Sequence, residues 1–110
     1  MRFPDVELLW WEGCPSTEKA LTELREVLRE AGLDAAAVRM REMRSDDDAH
    51  EARFVGSPTI RINGVDVQGP GDDEPVGLTC RVYHRRDGRI SPTPDPDDLR
   101  DALETAEEAE

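Results

Sequence analysis

The sequence predicts an α/β protein with a central mixed sheet of about four strands, helices on both faces, and an inserted β-hairpin before the last helix. Three observations support this fold class. The nearly continuous apolar run DVELLWW, at residues 5–11, is typical of a buried strand. Apolar side chains then recur at helical spacing between Ala20 and Ala31. Finally, Asn63-Gly64 between TIRI and VDV is a strong signal for a β-hairpin of two further strands.

The elements between these landmarks follow from local signals. Pro15 fits the first position of the first helix, where its missing N–H costs nothing, and Gly32 fits the left-handed position that ends it. Residues 36–43 alternate in a way that predicts a second strand. Ser45 and the three aspartates after it predict the start of a short helix that runs to about Arg53.

The second half of the chain carries the predicted insertion, at about residues 68–92. It starts with a loop rich in Gly, Pro and Asp and continues with the strand-like segment LTCRVYH at residues 78–84. A final helix is predicted to open at Asp95-Pro96. No internal repeat or linker interrupts the pattern, so residues 1–110 are predicted to form a single domain.

Composition narrows the range of partners. The formal net charge is −12, which argues against nucleic acid or an anionic membrane as a partner. No run of 18 apolar residues is present, and the first residues do not resemble a signal peptide. We therefore expect a cytoplasmic protein, in which a cysteine pair is more often reactive than a permanent crosslink. Nothing in the sequence calls for a cofactor.

The segment WWEGCPST, at residues 10–17, places Cys14 at the predicted start of the first helix. Unpaired backbone N–H groups and the helix dipole favour the thiolate over the thiol at such a position. A second cysteine three residues later, common in redox proteins, is replaced here by Thr17. The hydroxyl of Thr17 or Ser16 either donates a hydrogen bond to the Cys14 thiolate or caps the first turn of the helix.

Cys80 is the only other cysteine of the chain. The first strand runs toward the end of the sheet where the first helix starts, and the third strand begins at that same end, near Pro58. Its hairpin partner runs back, so the insertion that carries Cys80 should return to the end at which Cys14 lies. Pairing of the two cysteines would require Cα atoms about 5.5 Å apart. The alternative is a buried cysteine in a strand beside Val82.

Two nearby thiols have two natural uses. In thiol–disulfide exchange, Cys14 attacks and Cys80 resolves the mixed disulfide. In the capture of a soft metal such as mercury, both thiolates are ligands. The carboxylates that our topology brings near the two cysteines are Glu12, Asp72, Asp73 and Glu74. His84 follows Cys80 by four residues and is read either as a further metal ligand or as an exposed hairpin residue.

These motifs resemble those of the thioredoxin-like family. The matching residues are WWEGCP at the end of the first strand and GSPTI at the start of the third, ahead of the Asn-Gly hairpin; the resemblance covers about residues 3–67 and the final helix. It implies that Cys14 is the active cysteine and that Pro58 is a cis proline lying against it. The tail GLTCRVY is similar to that of small bacterial proteins of this family that are often labelled alkylmercury-lyase-like. This resemblance implies cleavage of a carbon–mercury bond, which also needs an acid for the leaving carbon, and the four carboxylates named above are the candidates.

Three functions remain open on these grounds. The first is a thiol-dependent oxidoreductase whose partners are small thiols and disulfides or protein disulfides. The second is binding or cleavage of mercurials through Cys14 and Cys80. The third is a scaffold that keeps the fold without catalysis.

Overall fold

The computed structural model describes residues 4–69 and 75–108. Their secondary structure follows the predicted order of strands and helices. The elements are β1 (Val6–Trp10), α1 (Thr17–Glu30), β2 (Arg39–Glu42), α2 (Asp46–Ala52), β3 (Thr59–Ile62), β4 (Val65–Asp66), β5 (Tyr83–His84), β6 (Ile90–Ser91) and α3 (Pro96–Glu108).

Four strands form one mixed sheet in the order β2-β1-β3-β4. β1 is parallel to β2 and antiparallel to β3, and β3 is antiparallel to β4. Leu8 stands at the centre of the register, opposite Met40 of β2 and Ile60 of β3. Since Leu9 is opposite Thr59, the end of β1 and the start of β3 lie at the same end of the sheet. This arrangement positions the candidate site.

Helices cover both faces of the sheet, as predicted, because side chains alternate along each strand. α1 and α3 share one face, and α2 lies on the other. The buried cluster on the first face consists of Val6, Leu8, Ala20, Leu24, Val27, Leu28, Ile60, Ile62, Leu99, Leu103 and Ala106. The cluster on the second face consists of Leu9, Met43, Ala49, Ala52 and Phe54. Burial of these apolar surfaces supplies the main driving force for folding.

The first helix begins later than predicted. α1 starts at Thr17, and Pro15 lies in the preceding turn instead of at the first helical position. Ser16 is the N-cap residue, and its side chain makes no capping hydrogen bond. A turn closed by the hydrogen bond from Cys14 N–H to Trp11 O precedes the helix, and Ala20 N–H donates to Ser16 O at its start. At the other end, Gly32 has a φ of +76°, as expected for a left-handed helix terminus.

The other local signals are confirmed. Ser45 caps α2 by accepting a hydrogen bond from Asp48 N–H at 3.1 Å. Asn63 and Gly64 have φ values of +53° and +80°, which suits a tight hairpin turn. The insertion forms a second, two-stranded sheet, with Tyr83 opposite Ser91. Its first strand is shorter than predicted, because only Tyr83 and His84 of LTCRVYH pair with the neighbouring strand.

Ion pairs join this second sheet to the helices of the first face. Arg86 contacts Asp98 at 2.9 Å and also pairs with Asp101, both on α3. Arg85 lies 3.9 Å from Glu23 on α1. Across residues 4–69 and 75–108, no helix combines the length and the apolar character that crossing a membrane requires.

Candidate functional site

Cys14 occupies the turn between β1 and α1. It is half-buried, and its N–H donates to Trp11 O at 3.0 Å. The indole of Trp11 lies over Gly13, where an added Cβ would come within 2.1 Å of the ring. A residue with a Cβ at this position would force the Trp11 ring to move. Trp10, on the opposite side of the strand, packs against the cluster beneath α1 and α3, so the two tryptophans divide between the faces of the sheet.

Thr17 and Ser16 do not take either of the roles expected of them. Thr17 Oγ1 is buried and has no hydrogen-bond partner in the described part of the chain. Ser16 makes no side-chain cap. The hydroxyl of Thr17 therefore lies in the first turn of α1, three residues after Cys14, without a hydrogen bond to any residue that the structure describes.

The loop before β3 lies at the same end of the sheet. The peptide bond between Ser57 and Pro58 is cis, as the family resemblance implies. Ser57 is 1% exposed, and its Oγ has no hydrogen-bond partner among the residues described. The hydroxyl of Tyr83 donates to Pro58 O, which ties this loop to the insertion.

The segment around Cys80 runs alongside this loop. Ser57 N–H donates to Thr79 O at 2.8 Å, Arg81 N–H donates to Ser57 O at 2.9 Å, and a parallel bridge joins Ser57 to Cys80. Cys80 is exposed, so the alternative of a buried cysteine is wrong. Both cysteines are free thiols. The insertion returns to the end of the sheet where β1 finishes, which is the arrangement expected from the strand directions.

The carbonyl of Thr79 links the three segments of the site. It accepts one hydrogen bond from Ser57 N–H and another, at 3.0 Å, from Trp11 Nε1. Trp11 lies three residues before Cys14, and Thr79 directly precedes Cys80. The turn that carries one cysteine is therefore fixed to the segment that carries the other.

A buried polar network holds the Cys80 segment in place. The Arg81 side chain, 6% exposed, forms a two-point ion pair with Asp66 of β4, with N–O distances of 2.6 and 2.9 Å. Its guanidinium lies 4.4 Å from the centre of the Tyr83 ring and donates to Thr59 Oγ1 at 3.3 Å. Burial raises the pKa of Tyr83, which keeps its hydroxyl protonated as the donor to Pro58 O.

Sequence reasoning missed this network. An arginine in LTCRVYH gives no sign of burial, because arginine is normally at the surface. The available signals are the position of Arg81 between Cys80 and Val82 and the presence of Asp66 within the apolar segment VDV. Neither residue indicates its partner without the fold.

Two cavities flank the site. One, of about 320 Å³, is lined by Cys80 and His84 together with Val55, Gln68, Pro75, Thr79, Arg81 and Val82. The other is a wide cleft of about 800 Å³ beside the Cys14 turn, and it includes Trp11, the exposed Glu12 and Arg44. His84 is exposed on its hairpin, as one of its two interpretations predicts.

The side chains that could act as metal ligands limit the kind of metal site that is possible. Within residues 4–69 and 75–108, no group of three or more His, Cys, Asp or Glu side chains is arranged to hold a metal ion. Asp72, Asp73 and Glu74, considered above as acids, lie outside the described residues. Of the four carboxylates proposed for that role, the structure describes only Glu12.

Comparison of the chain with protein-family models, with curated proteins and with solved structures found no match.

Proposed function

We propose that this protein is a cytoplasmic thiol–disulfide oxidoreductase of thioredoxin-like fold, in which Cys14 is the nucleophile and Cys80 the resolving thiol. The observation that carries the proposal is the carbonyl of Thr79, which accepts hydrogen bonds from both Trp11 and Ser57. It ties the Cys14 turn, the cis-proline loop and the Cys80 segment to one another. The strand order and the cis bond before Pro58 support the thioredoxin-like assignment.

The reaction proceeds in two exchanges. The Cys14 thiolate attacks one sulfur of a substrate disulfide, the substrate S–S bond breaks, and the departing thiolate takes a proton from water. Cys80 then attacks the Cys14 sulfur as a thiolate, the bond between Cys14 and the substrate sulfur breaks, and the second substrate thiolate leaves and takes up the proton that Cys80 gave up. The protein is oxidised to a Cys14–Cys80 disulfide, while the substrate disulfide is reduced to two thiols.

Single-cysteine variants test this proposal. The ratio of reduced to oxidised dithiothreitol in the buffer is varied. As the buffer becomes more oxidising, we expect the wild-type protein to lose two thiols in a single two-electron step and to remain a monomer. Cys14→Ser and Cys80→Ser should each abolish that transition, because each leaves one thiol, and each serves as the control for the other. Mass spectrometry of the alkylated protein gives the thiol count. Retention of both thiols in the wild type under strongly oxidising buffers would instead favour the non-catalytic scaffold.

Binding of mercury is a second candidate, favoured by the donor set. Zinc sites use four ligands or three with an open position, and no such group exists among the described residues. Two thiolates alone suit a soft metal ion. We expect one Hg²⁺ per protein, with affinity falling by more than about tenfold in both Cys14→Ser and Cys80→Ser. Competition titration against a small dithiol measures this; equal affinity in wild type and Cys80→Ser would exclude a paired site.

A further inference from the structure

The cavity around Cys80 has the size of a small-molecule site. Its volume of about 320 Å³ lies at the lower end of the range typical of ligand pockets. The lining combines the Cys80 thiol with polar groups from His84 and Gln68 and apolar surface from Val55 and Val82. Gln68 Oε1 accepts a hydrogen bond from His84 N–H at 2.9 Å, so these two walls are fixed to each other.

The volume of the cavity suits a small thiol better than a polypeptide. Its wall at Cys80 is held in place by the main chain, because Ser57 N–H donates to Thr79 O and Arg81 N–H donates to Ser57 O. The Ser57 hydroxyl, fully buried and without a partner in the described residues, remains as a polar group next to the bridged Cys80.

The two sulfurs also differ in exposure. Cys80 is exposed, whereas Cys14 is half-buried in its turn. Thiol–disulfide exchange depends on which sulfur is reachable, because the attacking thiolate must approach along the S–S axis. In an oxidised Cys14–Cys80 pair, an attacker from solvent therefore meets the Cys80 sulfur first.

We infer that the Cys80 cavity is the site at which a low-molecular-weight thiol reduces the oxidised protein, an inference that rests on the proposed function. The small thiolate attacks the Cys80 sulfur, the Cys14–Cys80 bond breaks, and Cys14 leaves as a thiolate. A second molecule of the thiol then attacks the small thiol's sulfur in the mixed disulfide, and Cys80 leaves as a thiolate. One protein disulfide is reduced to two thiols, and two small thiols are oxidised to one small disulfide.

Adduct mapping tests the direction of attack. Oxidised wild-type protein is mixed with 2-mercaptoethanol, quenched with acid, and digested to find which cysteine carries the mixed disulfide. We expect the adduct on Cys80; an adduct mainly on Cys14 overturns the inference. An extended cysteine peptide at equal thiolate concentration should react more slowly than 2-mercaptoethanol, and equal rates would contradict the preference for small thiols.

A second measurement does not require the internal disulfide. Reduced Cys14→Ser and Cys80→Ser are each treated with 2-hydroxyethyl disulfide at a pH high enough to ionise both thiols. The rates then compare access to the one remaining cysteine, and not the thiolate fraction on which the role of Cys14 as nucleophile depends. We expect Cys80 to react at least about tenfold faster than Cys14 under these conditions, because it is the more accessible thiol. Equal or faster reaction at Cys14 overturns the inference. A failure of the proposed function looks different, since it appears as the absence of an internal disulfide in the wild type.

A cavity-filling substitution distinguishes the effect of the cavity on the reactivity of Cys80 from the effect of the exposure of Cys80. Val82 is 53% exposed and lines the cavity, so Val82→Trp in the Cys14→Ser background should narrow it without burying a new polar group. We expect the reaction of Cys80 with 2-hydroxyethyl disulfide to slow by about fivefold or more. Val65→Trp is the matched control, because Val65 is 68% exposed on β4 and lies outside this cavity. Equal rates in the two tryptophan variants would show that the cavity plays no part.

Discussion

Replacing Asp66 by alanine is expected to lower the free energy of unfolding by about 3–5 kcal/mol, because it breaks a buried ion pair from one side. The Arg81 guanidinium would keep its buried position beside Tyr83 and lose both carboxylate hydrogen bonds. Domains of this size are typically stable by only about 5–15 kcal/mol, so the loss is a large share of the total. Urea denaturation followed by tryptophan fluorescence measures it.

Three further variants assign the cause. Asp66 Oδ1 also accepts from the N–H groups of Gln68 and Gly69, and Asp66→Asn keeps an acceptor there while removing the charge. A loss in this variant therefore reports the ion pair. Glu42→Ala breaks the exposed pair with Arg44 and should cost less than about 1 kcal/mol. The double change Asp66→Leu with Arg81→Met should recover much of the stability, since an apolar pair can replace a buried ionic one. A cost for Asp66→Ala no larger than that for Glu42→Ala would contradict the argument.

Replacing Gly56 by alanine should both destabilise the protein and uncouple the two cysteines. Gly56 has a φ of +133°, a backbone conformation that costs of order 1–3 kcal/mol for a residue with a Cβ. The added Cβ would also come within 3.0 to 3.1 Å of Arg81 Cβ, Cα and N. Since Arg81 N–H is bonded to Ser57 O, the Cys80 segment must move away from the cis-proline loop.

Gly32 offers a matched control. Its φ is also positive, at +76°, but no atom lies within 4 Å of an added Cβ. Gly32→Ala should therefore cost about 1–2 kcal/mol from backbone strain alone and leave the cysteines unaffected. We expect internal disulfide formation under dithiothreitol buffers to fall in Gly56→Ala only. Equal disulfide yields in the two variants would show that the approach of Arg81 to Gly56 does not position Cys80.

Much of the fold could be predicted because its signals are local. The amphipathic pattern of α1, the Ser45 cap of α2 and the Asn63-Gly64 turn each act over a few residues, and each is present. The start of α1 was misplaced because Pro15 is compatible with both a turn and a first helical position. The structure places Pro15 in the turn, and the residue types alone do not distinguish the two positions.

The candidate site was predictable only in part, since its defining contacts are distant in sequence. Strand directions alone led the insertion back to the end of the sheet where Cys14 lies. The bridge between Ser57 and Cys80 and the burial of Arg81 against Asp66 depend instead on the exact path of an irregular segment. The strand-like segment LTCRVYH predicts a regular strand there, but Thr79 and Arg81 bond to Ser57 of the cis-proline loop, and only Tyr83 and His84 form a strand.

The separation of the two cysteines along the chain has a consequence for how the oxidised protein would behave outside catalysis. A covalent bond between Cys14 and Cys80 would close a loop of about 66 residues, which removes chain entropy worth roughly 4 kcal/mol from the unfolded state. Oxidation would then raise the melting temperature and lengthen survival against proteases, while reduction would shorten it. The lifetime of the molecule would follow the thiol balance of its surroundings.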